Sequence, residues 1–354
     1  MASAHSRMRC GEFRTNYRQD TTIFPTPLAR RVAIVSILVL MLSPLVCDAY
    51  QLNLLIQIGY YGIAALGLNI VVGFTGQISL GHAAFFGLGA FTSAWINNTT
   101  GLPVFFCIPL AGLLTMAVGL MVGIPAGRIK GLYLAIATLA SQYILEDFFA
   151  RADWFTGGSA GAMAAPFSIF GYTMNDDRSY FYVVLFYVII MFLAGTNLLR
   201  TRDGRAFIAV RDHYLSAEIM GINLNKYRIL SFGISSFYAG IGGALFGHYL
   251  GFVSVEGFTI VLSIQFLAMI IIGGLGSVMG TMLGTIFMVL LPEVMAFGVH
   301  LIGSNSTALT QALAYIKAMS IGLAIILFLI FEPDGLSHRW KMIKNYWKLY
   351  PFSY

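Results

Sequence analysis

Residues 49–127 read AYQLNLLIQIGYYGIAALGLNIVVGFTGQISLGHAAFFGLGAFTSAWINNTTGLPVFFCIPLAGLLTMAVGLMVGIPAG, 79 positions without one Lys, Arg, Asp or Glu. Further uncharged runs cover 179–199, 229–255, 257–292 and 294–316. Over the whole 354-residue chain 58% of residues are hydrophobic and 10% charged, against about a quarter charged in a soluble domain. An α-helix needs about 20 mostly apolar residues to cross about 30 Å of hydrocarbon. Barrel strands would alternate polar and apolar at every second position, and that alternation is absent. The expected fold is an all-α polytopic membrane protein.

Turn signals and charges divide the apolar sequence into about ten spans: 32–49, 52–72, 82–97, 104–126, 131–149, 180–199, 229–251, 259–273, 278–299 and 312–331. Ten crossings put both termini on one side. That side receives eighteen Lys and Arg, and the opposite side two, Arg151 and Arg178. The excess of positive charge marks the cytoplasmic face, so both termini are expected there. The chain then divides into a cytoplasmic tail at 1–31, a membrane domain at 32–332 with an inner loop at 200–228, and a second cytoplasmic tail at 333–354. The net charge of +6 reflects this topology and the anionic inner leaflet, and needs no nucleic-acid partner. Residues 336–354 carry Arg339, Lys341, Lys344 and Lys348 among Trp340, Tyr346, Trp347 and Tyr350, the pattern of a helix lying on membrane lipid.

Six Arg precede the first apolar run, without a small-residue cleavage signature after it, so that run is expected to be a retained helix. Val46 stands where a lipoprotein box ending at Cys47 would need a small residue. Cys10, Cys47 and Cys107 show neither disulfide nor zinc spacing and read as packing residues.

Two segments depart from plain spans. In 73–90, Gly-Phe-Thr-Gly-Gln-Ile-Ser-Leu-Gly-His-Ala-Ala-Phe-Phe-Gly-Leu-Gly-Ala, the glycines Gly73, Gly76 and Gly81 alternate with Thr75, Gln77, Ser79 and His82. Interior glycine costs a helix about 1 kcal/mol, so a broken or re-entrant turn is expected. Broken backbone at membrane depth lines a cavity or is buried in protein, and a half-helix N-terminus there can hold a carboxylate. Residues 73–82 are the candidate substrate pathway; a short cytoplasmic turn is the plainer alternative. From 82 to 94 the pairs Ala83/Gly87, Gly89/Ser93 and Ala90/Ala94 suit close helix packing. The second segment is the loop 200–228. A helix over 206–220 would align Phe207, Val210, Tyr214 and Ala217 on one stripe, with Arg211, Asp212 and Glu218 elsewhere and Gly221 as terminator. Such a helix can dock into a partner's groove; a solvated loop is the alternative.

These two segments, with Arg-Ile-Lys-Gly-Leu-Tyr-Leu-Ala-Ile-Ala-Thr-Leu at 128–139, Thr-Gly-Gly at 156–158 and Gly-Arg-Ala-Phe-Ile-Ala-Val-Arg-Asp at 204–212, resemble the permease subunits of ATP-binding-cassette importers for branched-chain amino acids, the LivM type. Stretches 237–247 and 273–280 are similar to that family as well. The resemblance implies a non-enzymatic transport subunit in a bacterial inner membrane. It implies as partners a second permease subunit, two ATPase subunits and an extracytoplasmic substrate-binding protein. It makes 204–224 the ATPase-coupling segment, with Arg211, Asp212, Ala217, Glu218 and Gly221 as its candidate contacts. Gly221 matches the coupling glycine, whereas Leu215-Ser216-Ala217 departs from the Glu-Ala-Ala pattern and places the carboxylate at Glu218. Related importers carry amides, urea or sugars, and these stay open as substrates.

No Gly-Lys dipeptide occurs, so the chain has no Walker A loop. The histidines lack metalloprotease spacing, and no cofactor or metal is called for. Gly157-Gly158-Ser159-Ala160-Gly161 matches a hydrolase elbow in letters but lies in an outer loop, without the strand and helix the elbow needs. Glu293 and Lys317 fall inside spans, each about six residues or roughly 9 Å from the outer end. Antiparallel neighbours would set them level as an ion pair. Glu146 and Asp147 end a span where solvation suffices. An ion-driven secondary transporter would want more intramembrane carboxylates and a repeat; Gly-x-x-Gly at 73/76 and 273/276 is too short to be one.

Overall fold

A computed structural model describes residues 27–129, 131–169, 172–174, 176–303 and 307–349. Most of the expected N-terminal tail, Lys130 and residues 350–354 lie outside the described residues. The chain is built from helices: α1 Pro27–Val46, α2 Ala49–Asn69, α3 His82–Thr100, α4 Val104–Ala126, α5 Leu132–Arg151, α6 Asp153–Thr156, α7 Asp177–Leu198, α8 Arg202–Asp212, α9 Tyr214–Ile219, α10 Leu224–Leu250, α11 Ile260–Gly273, α12 Val278–Gly303, α13 Thr307–Phe331 and α14 Gly335–Leu349. A helix overlaps each of the ten expected spans. Among the described residues, six stretches are long and apolar enough to cross a membrane: 49–74, 104–126, 177–198, 224–250, 255–273 and 278–299. The ends of α13 and α14, bent by 50° at their junction, make a seventh if they count as one span. The protein is a multi-pass membrane protein.

Helix α10 is the axis of the bundle and packs against α2, α3 and α4. Lipid offers apolar side chains the same environment as a protein core does, so close van der Waals contact rather than water exclusion must hold the helices together. The sequence provides for that with small residues. At the α3–α10 crossing a methyl on Gly89 would overlap the backbone of Gly240, and one on Gly87 would lie 2.6 Å from the Phe258 ring. The stretch 82–94 therefore packs as expected. Beside the crossing, Tyr60, Tyr61, Phe86, Phe246, Phe258 and Phe266 stack at centroid distances from 4.7 to 6.4 Å. Each such pair adds about 0.5–1.5 kcal/mol beyond its buried area.

The long connection after α5 is held by two small ribbons. Strands β1 Ala162–Met163 and β4 Phe252–Val253 pair antiparallel, as do β2 Ser168–Ile169 and β3 Tyr172–Thr173. Within it Gly157–Gly161 forms a turn of 3-10 helix on glycines of positive φ, not a strand-to-helix elbow.

Three expectations are corrected. The single helix over 206–220 is two helices, because His213 takes an extended conformation at φ −153° between α8 and α9. Helix α10 begins at Leu224, five residues before the expected span, since Asn223 caps it by accepting from Lys226 N at 3.1 Å. Solvation does not reach all of Glu146: its Oε2 is buried without a hydrogen bond among the described residues, while Asp147 pairs with Arg151 at 2.9 Å.

Candidate functional site

The helix α2 does not stop at Asn69 but loosens into a π-helical turn, Ile70–Phe74, a form that recurs at functional sites. The chain then runs without helix from Thr75 to Gly81 before α3 starts at His82. Gly76 supplies the positive φ of 68° that the turn requires. Thr75, Gln77, Ser79 and His82 are all buried. Thr75 Oγ1 donates to Val71 O at 2.6 Å, and Gln77 Nε2 donates to Thr75 Oγ1 at 2.8 Å and to Ser231 Oγ of α10 at 2.9 Å. His82 Nε2 donates to Ala64 O at 2.8 Å. Gln77 Oε1 is buried without a partner among the described residues.

At the start of α3 two backbone donors, those of Ala83 and Ala84, are already engaged by side chains. Ala83 N donates to Ser263 Oγ at 2.9 Å and Ala84 N to Gln142 Oε1 at 2.8 Å, while Gln142 Nε2 is fixed on Phe258 O at 2.6 Å. Two side chains from α11 and α5 thus take two of the donors expected for a substrate carboxylate. Sequence spacing could not show this, because Gln142 and Ser263 are 58 and 180 residues away along the chain.

The inner segment 202–221 has two faces. Thr201 caps α8 by accepting from Gly204 N at 3.2 Å. Phe207, Val210 and Ala217 point into the bundle and are buried. Ala217, expected as a partner contact, instead packs with Val210 and Leu224. Tyr214, expected on the same stripe, is exposed because the bend at His213 turns α9 away. The opposite face of α9 shows Leu215 at 58% and Ile219 at 85% exposure, and Met220, the residue that follows the helix, is 83% exposed. The sequence contains this signal, apolar residues in a polar loop outside every span, but reading one continuous helix concealed it. Gly221 ends the segment at φ 84°. With Glu218, Arg128 and the buried Arg228 it lines a cleft of about 450 Å³. Arg211 and Asp212 pair at 2.8 Å, and Arg211 Nη1 reaches Gly73 O at 2.8 Å. The two candidate segments are therefore in contact.

Glu293 and Lys317 stand 3.1 Å apart, each with a side chain 31% exposed, and Tyr50 donates its hydroxyl to Glu293. Tyr50 was not among the expected residues. Among the described residues no three His, Cys, Asp or Glu side chains lie together as a metal site would need.

Residues 50–330 match the family described as the permease component of branched-chain amino acid transport systems. The chain belongs to that family. It is 31% identical over 300 residues to the Escherichia coli high-affinity branched-chain amino acid transport permease LivM, covering 78% of this chain and 67% of the relative. It is 24% identical over 295 residues to BraD, a permease of the same description from Pseudomonas aeruginosa (79% and 92%), and 27% over 285 residues to a probable ABC transporter permease of Sinorhizobium fredii (78% and 79%). No solved structure matches the chain. The family match spans both the break at 73–82 and the inner segment 202–221.

Proposed function

We propose that this LivM-type permease translocates branched-chain or related aliphatic amino acids across a bacterial inner membrane. A substrate-binding protein delivers them outside, a second permease subunit completes the pathway, and two ATPase subunits power it from the cytoplasm. The chain crosses ten times with both termini inside, a reading supported by the ten helices on the expected spans and the eighteen-to-two division of Lys and Arg. Residues 73–82 border the pathway at its inner end, and 202–221 receive the motion of the ATPases.

The exposed apolar face of α9 carries the proposal. Leu215, Ile219 and Met220 sit on a segment rich in Arg and outside every expected span, where the bundle leaves them uncovered. Large apolar residues left exposed outside the spans suit a docking surface, and in a permease without its own nucleotide loop the cytoplasmic partner to be docked is an ATPase. Glu293, the carboxylate expected inside a span, is engaged by Lys317 and Tyr50, which disfavours it as the ion-coupling group of a gradient-driven carrier.

The test is reconstitution of the permease pair, the ATPases and the binding protein in proteoliposomes. Aliphatic amino acids loaded on the binding protein should stimulate ATP hydrolysis and uptake above amides, urea and sugars. Uptake by the permease alone under a proton or sodium gradient would refute the proposal.

A further inference from the structure

Arg211 sits where three interruptions of the chain meet. It is the penultimate residue of α8, and although 37% of its side chain stays exposed, its guanidinium reaches the π turn. Its Nη1 donates to Gly73 O in the π turn at 2.8 Å, and its Nε donates to Asp212 Oδ1 at 2.8 Å. The turn between α11 and α12 closes on the same guanidinium from the other side: a methyl added to Gly276 would stand 2.8 Å from Nη1. One added to Gly76 would stand 3.0 Å from the Arg211 Cγ. Asn69 ties the two turns together, accepting from Gly276 N at 3.0 Å and donating to Ser277 O at 3.2 Å.

This junction suits arginine in particular. A planar guanidinium can hold a carboxylate with one edge and a carbonyl with another at the same time, which the single ammonium of lysine does with less directional definition. The surrounding glycines leave room for it at van der Waals distance. Beyond the junction, α9 is six residues long, joined through the extended His213, and anchored by the single buried side chain of Ala217. A push on so short a helix would dissipate in the loop unless another contact carried it inward. Transmission of motion requires an element that both sites bias, not mere nearness.

We infer that Arg211 is a positioning residue that carries movement of the inner segment 202–221 to the helix breaks at 73–76 and 274–276. The inference rests on the reading of α9 as the ATPase-docking surface. It assigns Arg211 to the junction of this segment with the two helix breaks and not to the contact with the ATPase.

The experiment compares wild type, Arg211→Ala, Arg211→Lys and Gly276→Ala in the complete complex in proteoliposomes, reading leucine uptake per ATP hydrolysed and the ATPase content of the purified complex. Arg211→Ala should keep its ATPase subunits and still hydrolyse ATP, while uptake per ATP falls about tenfold or more, within the usual range of coupling between sites. Gly276→Ala should follow it, because the methyl displaces the guanidinium, and Arg211→Lys should fall between. A purely structural arginine would lower thermal stability and leave uptake per ATP unchanged; that result overturns the inference. Loss of the ATPase subunits from the Arg211→Ala complex overturns it too, by making Arg211 a docking residue. Should the alanine variant not accumulate, the lysine variant decides by the same ratio, an unchanged ratio counting against the inference. A wild-type complex that takes up nothing with ATP refutes the transport reading instead. In that event the spin-label distance between exposed positions Ile78 and Leu215 still tests the link, and a distribution as narrow in Arg211→Lys as in wild type counts against it.

Discussion

The break at 73–82 and the inner segment 202–221 both interrupt a helix, yet they expose opposite chemistry. The first turns Thr75, Gln77, Ser79 and His82 inward, where protein groups satisfy most of their polar atoms; the second turns Leu215, Ile219 and Met220 outward. Each inverts what its surroundings favour. Polar groups at a buried helix break cost free energy unless they are hydrogen-bonded, and large apolar groups left exposed outside the spans gain nothing until something covers them. The difference separates a region whose polar groups are mostly paired within the chain from one whose apolar groups the chain leaves uncovered.

Breaking the closed region should have the largest effect. A methyl on Gly73 would overlap Asn69 Oδ1 and lie 2.5 Å from Gly276 N, so Gly73→Ala must separate the two turns and lose the Asn69–Gly276 bond. Overpacking and the lost bond together should cost about 2–4 kcal/mol, visible as a lowered thermal midpoint of the detergent-purified permease. A variant as stable as wild type would show that this junction is slack.

The open region predicts the reverse pattern. Replacing Leu215, Ile219 and Met220 together by Asp should leave the stability of the isolated permease within about 0.5 kcal/mol, as for surface changes away from structural contacts. The same triple variant should weaken ATPase binding on the order of 100-fold, since a few buried apolar anchors dominate an interface. Co-purification and titration of the ATPase subunits measure it. Undiminished binding would erase the distinction between the two regions.

The two regions were not equally legible in the sequence. Uncharged runs fix where helices lie, because the hydrocarbon tolerates little else, and each expected span found its helix. The break at 73–82 was legible for the same reason: three glycines among four polar side chains cannot continue a helix cheaply. What closes it was not legible, because Gln142, Ser231, Ser263 and Arg211 arrive from helices distant in sequence and carry no local mark of their target. The bend at His213 was hidden as well. Helical periodicity persists through it, and only tertiary packing of Phe207, Val210 and Ala217 decides which face turns in.

Single cysteines sharpen the comparison within the break itself. Thr75, Gln77 and Ser79 are buried, whereas Ile78 between them is 43% exposed. In a background free of Cys10, Cys47 and Cys107, a water-soluble thiol reagent should label position 78 at least about tenfold faster than 75, 77 or 79, because thiolates form only where water reaches. If the segment lines an alternating pathway, trapping the complex with ATP should raise labelling at 77. Equal labelling at 77 and 78 in the nucleotide-free state would contradict the buried polar knot described above.

The smallest effect belongs to the ion pair between two of the expected spans. Glu293 and Lys317 are hydrogen-bonded at 3.1 Å with Tyr50 on the same carboxylate, but both charged side chains keep 31% of their surface accessible. At that exposure the pair is worth about 1 kcal/mol or less. Glu293→Gln or Lys317→Met alone leaves the other charge without its partner, so the two single changes should together cost more than the double variant does. A coupling of about 0.5–1 kcal/mol in thermal unfolding of the purified permease is the expected outcome. Adding Tyr50→Phe refines the assignment: if the hydroxyl shares the carboxylate, its removal should strengthen the coupling between Glu293 and Lys317, because the lysine becomes the remaining donor to that group. Strictly additive losses, or a coupling indifferent to Tyr50, would show that these helices are held at this level by packing and not by charge.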